Sequence, residues 1–312
     1  MDVILDVDTG VDDAMAILLA ARSPVLNVLG ITCVMGNTDL DYVVPNTLKV
    51  LDVADRPDIP VARGMDRALL ETKRNAKQVH GEDGLGHIEL PPPSRQPVPE
   101  HAVEFLRKTV LTAREPVTLI PLAPLTNIAT LLIQHPEVKA NIKQIVLMGG
   151  AIEIGNASAT AEFNIRQDPE AADVVFTCGL PLVMYGLEVF REVRFNQSEA
   201  QAFINSGKPA AQLAGRLLKF FMDNFHREAV TIGDAGAVAS VIDPAGLTTE
   251  AWPVRVELHG TWTRGQTVVD RRPQYSIELE APWMPPMGTK VAVATAVDSE
   301  RYRQLFSQAV LS

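Results

Sequence analysis

The stretch LDVDTGVDDAMAI near the start of the chain sets four aspartates, Asp6, Asp8, Asp12 and Asp13, within eight residues, between an apolar strand and an apolar helix. Val3 to Leu5 read as a short buried strand, and Gly10 permits a tight turn. Asp12 and Asp13 then open an amphipathic helix running to about Ala21. The carboxylates thus fall where a strand ends and a helix begins, the place where open α/β sheets carry their sites. Two ionised carboxylates about 4 Å apart repel by roughly 4 kcal/mol at an effective dielectric near 20, so a positive charge belongs among them. Oxygen-only donors point to a hard cation, calcium or magnesium, rather than zinc. Successive helical residues point about 100° apart, so Asp12 and Asp13 can serve different partners, one a metal and the other a bound hydroxyl. Helix capping by Asp12 is the alternative reading, but a cap needs one acid and this segment has four.

Strand-like and helical runs alternate beyond this point. Residues 26–34, 117–122, 144–150 and 181–186 read as buried strands, and 38–54, 100–114, 125–134 and 168–178 as helices. This βαβ rhythm predicts a mostly parallel central sheet flanked by helices. A long helix follows at 208–228 and a short one at 235–242. Residues 253–295 look richer in strand, and a helix at 298–310 closes the chain. Two segments read as irregular loops. Residues 63–98 contain VHGEDGLGH and the proline run PPPSRQPVP, and the glycines around His80 suggest a mobile flap. Residues 151–167 follow a strand and belong at the same sheet edge as the aspartates if the strands are parallel. No shift in composition marks a boundary, so residues 1–312 are read as one domain.

A chain of 312 residues can bury roughly 75% of its unfolded surface without staples. The net charge of −10 argues against non-specific binding to nucleic acid or membrane, while leaving room for a local basic patch. Cys33 and Cys178 read as buried thiols. No apolar run approaches 18 residues and no basic-plus-apolar leader precedes the first strand, so the expected location is cytoplasmic.

Several motifs then agree with one family. DVDTGVDD at the N-terminus is similar to the DxDxGxDD signature of the inosine–uridine type nucleoside hydrolases. VMGN (34–37), VHGEDGLGH (79–87), PLAPLTNIA (121–129), VLMGGA (146–151), GNASATAEFN (155–164), DPEAA (168–172) and the Asp234 segment GDAGAVASVIDP follow in that family's order over nearly the whole chain. The resemblance implies the nucleoside hydrolase fold, which is Rossmann-like, and hydrolysis of the N-glycosidic bond of a ribonucleoside to ribose and free base. It places the protein in nucleoside salvage, with a small-molecule substrate and a homodimeric or homotetrameric assembly.

The resemblance also implies roles. Asp8 binds a calcium ion and acts as general base toward a water, with Asn37 beside it at the catalytic centre. Asp13, Asp234 and the Leu122 carbonyl complete the protein's share of the calcium ligands. Asp12, Asn37 and Asn164 hold the ribose 2′- and 3′-hydroxyls, Asn156 and Glu162 meet the 5′-hydroxyl, and Met148 lines the pocket beneath the sugar. These residue types suit the chemistry. Glycosyl transfer passes through an oxocarbenium-like state that carboxylates stabilise, and amide and carboxylate side chains match sugar hydroxyls. For Asp234, which opens an apolar helix, capping is the alternative.

The pattern breaks at Gly233, where well-known members carry a histidine proposed to protonate the leaving base. A positioned acid typically contributes 10²–10⁴-fold. The substitutes to consider are His226 near the end of the long helix, His80 in the glycine-rich segment, and stacking by Trp252, Trp262 or Trp283. Two other functions stay open. A phosphatase of the haloacid-dehalogenase type, suggested by DVDTG, needs Asp6 as nucleophile. A nucleoside- or ribose-binding protein without turnover is motivated by Gly233.

Overall fold

The computed structural model of the chain describes residues 1–72, 74–272 and 288–312. Eleven strands are described: β1 Asp2–Val7, β2 Asn27–Cys33, β3 Val61–Arg63, β4 Val117–Pro121, β5 Ile142–Met148, β6 Leu182–Tyr185, β7 Arg194–Asn196, β8 Ala229–Thr231, β9 Leu247–Val256, β10 Thr267–Val269 and β11 Lys290–Val297. Nine form one sheet in the order β10-β9-β11-β6-β5-β4-β1-β2-β3, and β7 and β8 pair separately. From β11 through β6, β5, β4 and β1 to β2 and β3 the pairing is parallel. Only β9 runs against it, pairing antiparallel with β11 on one side and with β10 on the other. The expected mostly parallel α/β architecture is therefore the observed one.

Period-two alternation on β1 divides the core between the two faces of the sheet. Val3, Leu5 and Val7 pack with the helices Val11–Arg22, Leu40–Val53, Pro209–Phe225, Ala235–Ile242 and Ser299–Leu311. Ile4 faces the other way, toward the helices Ala102–Thr112, Thr126–Gln134 and Pro169–Phe176. β1 stands between β2 and β4, so the chain order reverses there. In open α/β sheets such a switch point leaves a crevice at the carboxyl ends of the strands. The aspartate-rich turn leaves β1 at that crevice, Asn37 follows β2, and Leu122 follows β4.

The differences from expectation lie in short elements and in the loops. β3, β7 and β8 are three-residue strands, and a helix at Gln197–Asn205 precedes the long one. Residues 151–167 end in a short helix, Phe163–Gln167. The glycine-rich segment is tied down rather than free as a flap. His80 is buried, Asn46 Nδ2 donates to the Asp83 carbonyl at 2.7 Å, and Thr38 Oγ1 donates to the Glu82 carbonyl at 3.2 Å. Cys33 is buried but Cys178 only half-buried, and both are free thiols. Part of the 253–295 segment, including Trp283, lies outside the described residues. No described helix is long and apolar enough to cross a membrane.

Candidate active site

The crevice opens into a cavity of about 1040 Å³. At its floor and just behind it, the carboxylates of Asp12, Asp13 and Asp234 bring one oxygen each within 4.8 Å of one another. Asp12 and Asp13 come from the first helix and Asp234 from a turn more than 200 residues away, so only the fold brings them together. Asp234 occupies the N-cap position of the helix Ala235–Ile242 but makes no side-chain capping bond, so capping does not account for it. The cap of the first helix falls to Asp13 instead of Asp12: its Oδ2 accepts from Gly10 N at 2.8 Å and its Oδ1 from Asp8 N at 3.2 Å.

Asp8 sits beside this trio, fully buried. Asn37 N donates to its Oδ2 at 2.7 Å, and Asn37 Nδ2 donates to its Oδ1 at 3.1 Å and to Asp13 Oδ2 at 3.0 Å. The expected calcium set counted Asp8 and left Asp12 to the ribose. In the geometry Asp12 joins Asp13 and Asp234, while both Asp8 oxygens are engaged by Asn37. Burial and then the Asp13 charge raise the Asp8 pKa well above the ordinary carboxylate range. Burial and then Asp12 and Asp13 do the same to Asp234. Burial, then Asp12, raises Asp13 to about 7. Such mutual repulsion in a buried site is what a bound cation relieves. All the donors are oxygens, so the set fits a hard cation such as calcium.

The neutral side chains converge on the same floor. Asn164 Nδ2 donates to the Leu122 carbonyl at 2.9 Å and the Met148 carbonyl at 3.1 Å, tying together the ends of β4 and β5. Glu162, buried, caps the helix Phe163–Gln167. Its Oε1 accepts from Asn164 N, and its Oε2 accepts from Gly150 N and Ile165 N. Burial nonetheless pushes its carboxyl up to about 7. Asn156 Oδ1 accepts from Phe163 N at 2.8 Å. His80 Nδ1 accepts from Val11 N at 3.1 Å, so its proton resides on Nε2, and burial lowers its pKa. Asp12, Asn37, His80, Leu122, Met148, Asn156, Glu162, Asn164 and Asp234 all line the cavity, whereas Asp8 and Asp13 lie behind its surface.

The candidates for replacing the missing histidine fare differently. His226 is an exposed, left-handed C-cap with φ of 52° and does not line the cavity, although Phe225 and Arg227 on either side of it do. That placement counts against it as the acid. Trp252 packs on β9 away from the cavity. Trp262 lies at the mouth, 86% exposed. Gly233 has φ of +54°, and a Cβ there would stand 2.8 Å from both the Asp12 Cβ and the Phe190 ring. A side chain at that position would have to displace the Phe190 ring and Asp12 and would be strained by the positive φ. Asp6 is buried and absent from the cavity wall, bonded through Oδ1 to Thr32 and Asn127, so it cannot serve as the phosphatase nucleophile.

Residues 3–304 match the family model described as inosine-uridine preferring nucleoside hydrolase. The chain belongs to that nucleoside hydrolase family. As a nucleoside hydrolase it is an enzyme that cleaves ribonucleosides at the N-glycosidic bond. It is 41% identical over 277 residues to the pyrimidine-specific ribonucleoside hydrolase RihA of Salmonella schwarzengrund (strain CVM19633), covering 86% of this chain and 88% of that protein. The solved plant nucleoside hydrolase PpNRh1 superposes with a TM-score of 0.91 at 30% identity, covering 100% of this chain and 99% of the other. A purine-preferring ribonucleoside hydrolase from Gardnerella vaginalis gives 0.90 at 32% identity, covering 100% and 98%.

Sequence reasoning missed Phe190 and the arginines of the cavity wall, among them Arg191, Arg194 and Arg227. Phe190, Arg191 and Arg194 lie together in FREVR (190–194), but nothing in that run marks it as part of a site, and Arg227 reaches it only through the fold. The departure at Gly233 was the one signal that something else occupies that corner.

Proposed function

We propose that this nucleoside hydrolase is calcium-dependent and that Asp8 is its general base. The meeting of Asp12, Asp13 and Asp234 at the floor of the cavity, with Asp8 and Asn37 against them, carries the reading. Asp13 and Asp234 are the ligands on which motif and geometry agree. Asp12 joins them in the geometry, and Asp8 and the Leu122 carbonyl in the motif. When bound, the ion neutralises the carboxylates and lowers the pKa of water at the site.

The chain's own residues supply the remainder. Asp8, oriented by two bonds from Asn37, accepts a proton from the attacking water. The floor carboxylates stabilise the positive charge that develops on the ribosyl ring. Asp12, Asn37 and Asn164 bind the 2′- and 3′-hydroxyls. Asn156 and Glu162 bind the 5′-hydroxyl, and Met148 packs under the ring. Contacts remote from the broken bond lower the barrier when they tighten as the sugar flattens. The neutral His80 presents its Nε2–H to the cavity as a donor to substrate.

The greater identity to a relative named pyrimidine-specific makes pyrimidine ribonucleosides the first substrates to assay. Purified protein is given a panel of pyrimidine and purine ribonucleosides, with added calcium or with chelator, and reducing sugar is read. Ribose release that needs calcium supports the reading. Undiminished release in excess chelator removes the metal from it, and no release from any ribonucleoside removes the activity.

A further inference from the structure

The cavity has an acidic floor and a basic wall. Among the described residues, three carboxylates line it, from Asp12, Glu162 and Asp234, against six arginines. Three of the six are neutralised on one side. Arg74, Arg166 and Arg264 all pair with Glu71, and Arg264 also pairs with Glu170 at 2.7 Å. The other three, Arg191, Arg194 and Arg227, have no carboxylate partner among the described residues. All three are exposed to solvent, and in a chain of net charge −10 they gather basic charge on one wall of a cavity whose floor is acidic.

Their placement is specific. Phe190 is the residue whose ring fills the space over Gly233, and Arg191 follows it directly. Arg194 Nε donates to the Arg191 carbonyl at 2.5 Å, and Arg194 pairs across the β7–β8 ladder with Thr231. Thr231 Oγ1 in turn accepts from Gly233 N at 3.0 Å and bonds to the Phe190 carbonyl. Arg227 leads from the cap of the long helix into β8, held by its N–H to the Met222 carbonyl at 3.0 Å. All three arginines therefore stand on the structure that supports the Gly233–Asp234 turn, the corner where relatives of the well-known type carry the proton donor.

We infer that Arg191, Arg194 and Arg227 stabilise the departing base as an anion, replacing protonation by electrostatic stabilisation. The inference rests on the hydrolase reading above and adds a leaving-group class to it: bases whose ring carbonyls delocalise the charge of the glycosidic nitrogen. The step balances without an acid. A bond forms from the water oxygen to C1′ and the C1′–N bond breaks. The bonding pair stays on the base nitrogen and spreads onto the conjugated carbonyl oxygens, where guanidinium N–H groups donate to it. The water's proton passes to Asp8 and on to solvent. The released base anion takes a proton from solvent.

The test compares two leaving groups on the calcium-loaded enzyme. One is the nucleoside turned over best among uridine, inosine and xanthosine. The other is 4-nitrophenyl β-D-ribofuranoside, whose leaving group needs no help. Single and triple variants of Arg191→Gln, Arg194→Gln and Arg227→Gln are measured beside the corresponding Arg→Lys set. The triple Gln variant is expected to lose about 10²-fold in kcat on the nucleoside, the scale of a removed oxyanion donor, and less than about threefold on the nitrophenyl riboside. The Lys set should recover part of the loss. Unchanged nucleoside turnover in the triple Gln variant, or an equal fall on both substrates, overturns the inference. Failure of the unaltered enzyme to release ribose from either substrate overturns the hydrolase reading itself.

Discussion

Asn37 holds Asp8 from two directions, its backbone N–H on one carboxylate oxygen at 2.7 Å and its side-chain amide on the other at 3.1 Å. The same amide nitrogen reaches Asp13 at 3.0 Å, so one neutral residue bridges and orients two buried acids whose side chains also touch each other. Asn37→Ala removes the side-chain donor that both carboxyl groups share. The expected result is a fall in kcat of about 10²-fold or more on the best nucleoside. The loss should come in kcat more than in KM if orientation of Asp8 is what is lost. A steady-state comparison with Asp8→Ala, expected to be at least as damaging, checks it.

Gly36 makes that arrangement possible. A Cβ at this position would lie 1.8 Å from Asp8 Oδ2, a distance no relaxation of Asp8 in place can absorb. Gly36→Ala must push Asp8 off the Asn37 backbone N–H. The prediction is a folded protein, destabilised by about 1–3 kcal/mol as for other overpacked sites, with activity down by about 10²-fold or more. Urea denaturation beside kinetics separates the two effects. Retention of full activity would show that Asp8 need not sit where it does.

The carboxylate trio yields a prediction about calcium that does not depend on turnover. A ligand that binds only the folded state at 100 times its Kd adds about 2.7 kcal/mol, which for a chain of this size is a rise in Tm of about 4 °C or more. Calcium should raise Tm in this way and chelator should reverse it. Asp13→Asn and Asp234→Asn should abolish the shift. The two remaining acids are told apart by the same measurement. If Asp12→Asn removes the shift and Asp8→Asn spares it, the ligand set follows the observed cluster. The reverse result restores the set implied by the motif.

Much of this site is legible in the sequence. The β1–turn–helix unit reads directly because four acids interrupt an apolar pattern, and the parallel order of the strands then carries Asn37, Leu122, Met148 and the 151–164 loop to one edge. Other features depend on contacts that no local pattern encodes. β3, β7 and β8 are too short to show a period. The glycine-rich segment reads as mobile until Asn46 and Thr38, 37 and 44 residues away from their partners, are seen to bind it. Glu162 reads as a sugar contact, and its second role, capping the helix through Asn164 N and Ile165 N while holding Gly150 N, emerges only in the fold. That Asp12 joins Asp13 and Asp234 in the close trio is visible only in the folded positions of the side chains. The unpaired arginines come from separate elements and meet only in the folded chain.

Asp6 yields the pH-dependent prediction. Its Oδ1 accepts from Thr32 Oγ1 at 2.5 Å and Asn127 Nδ2 at 2.8 Å, while its Oδ2 is buried without a partner. Burial raises its carboxyl to about 7, against the lowering effect of those two bonds. The folded pKa lies above the unfolded value, so the protonated form is favoured by folding. That contribution is fully present below about pH 4 and is lost as pH rises through about 7. At 1.36 kcal/mol per unit, the stability forfeited over that range is about 3–4 kcal/mol. Asp6→Asn cannot ionise. In chelator, where calcium makes no contribution, the stability difference between variant and unaltered protein should shift in the variant's favour by a few kcal/mol between pH 4 and 7.5. Urea denaturation at a series of pH values measures it. A difference that stays flat across the range would mean that Asp6 is already ionised in the folded enzyme at pH 4.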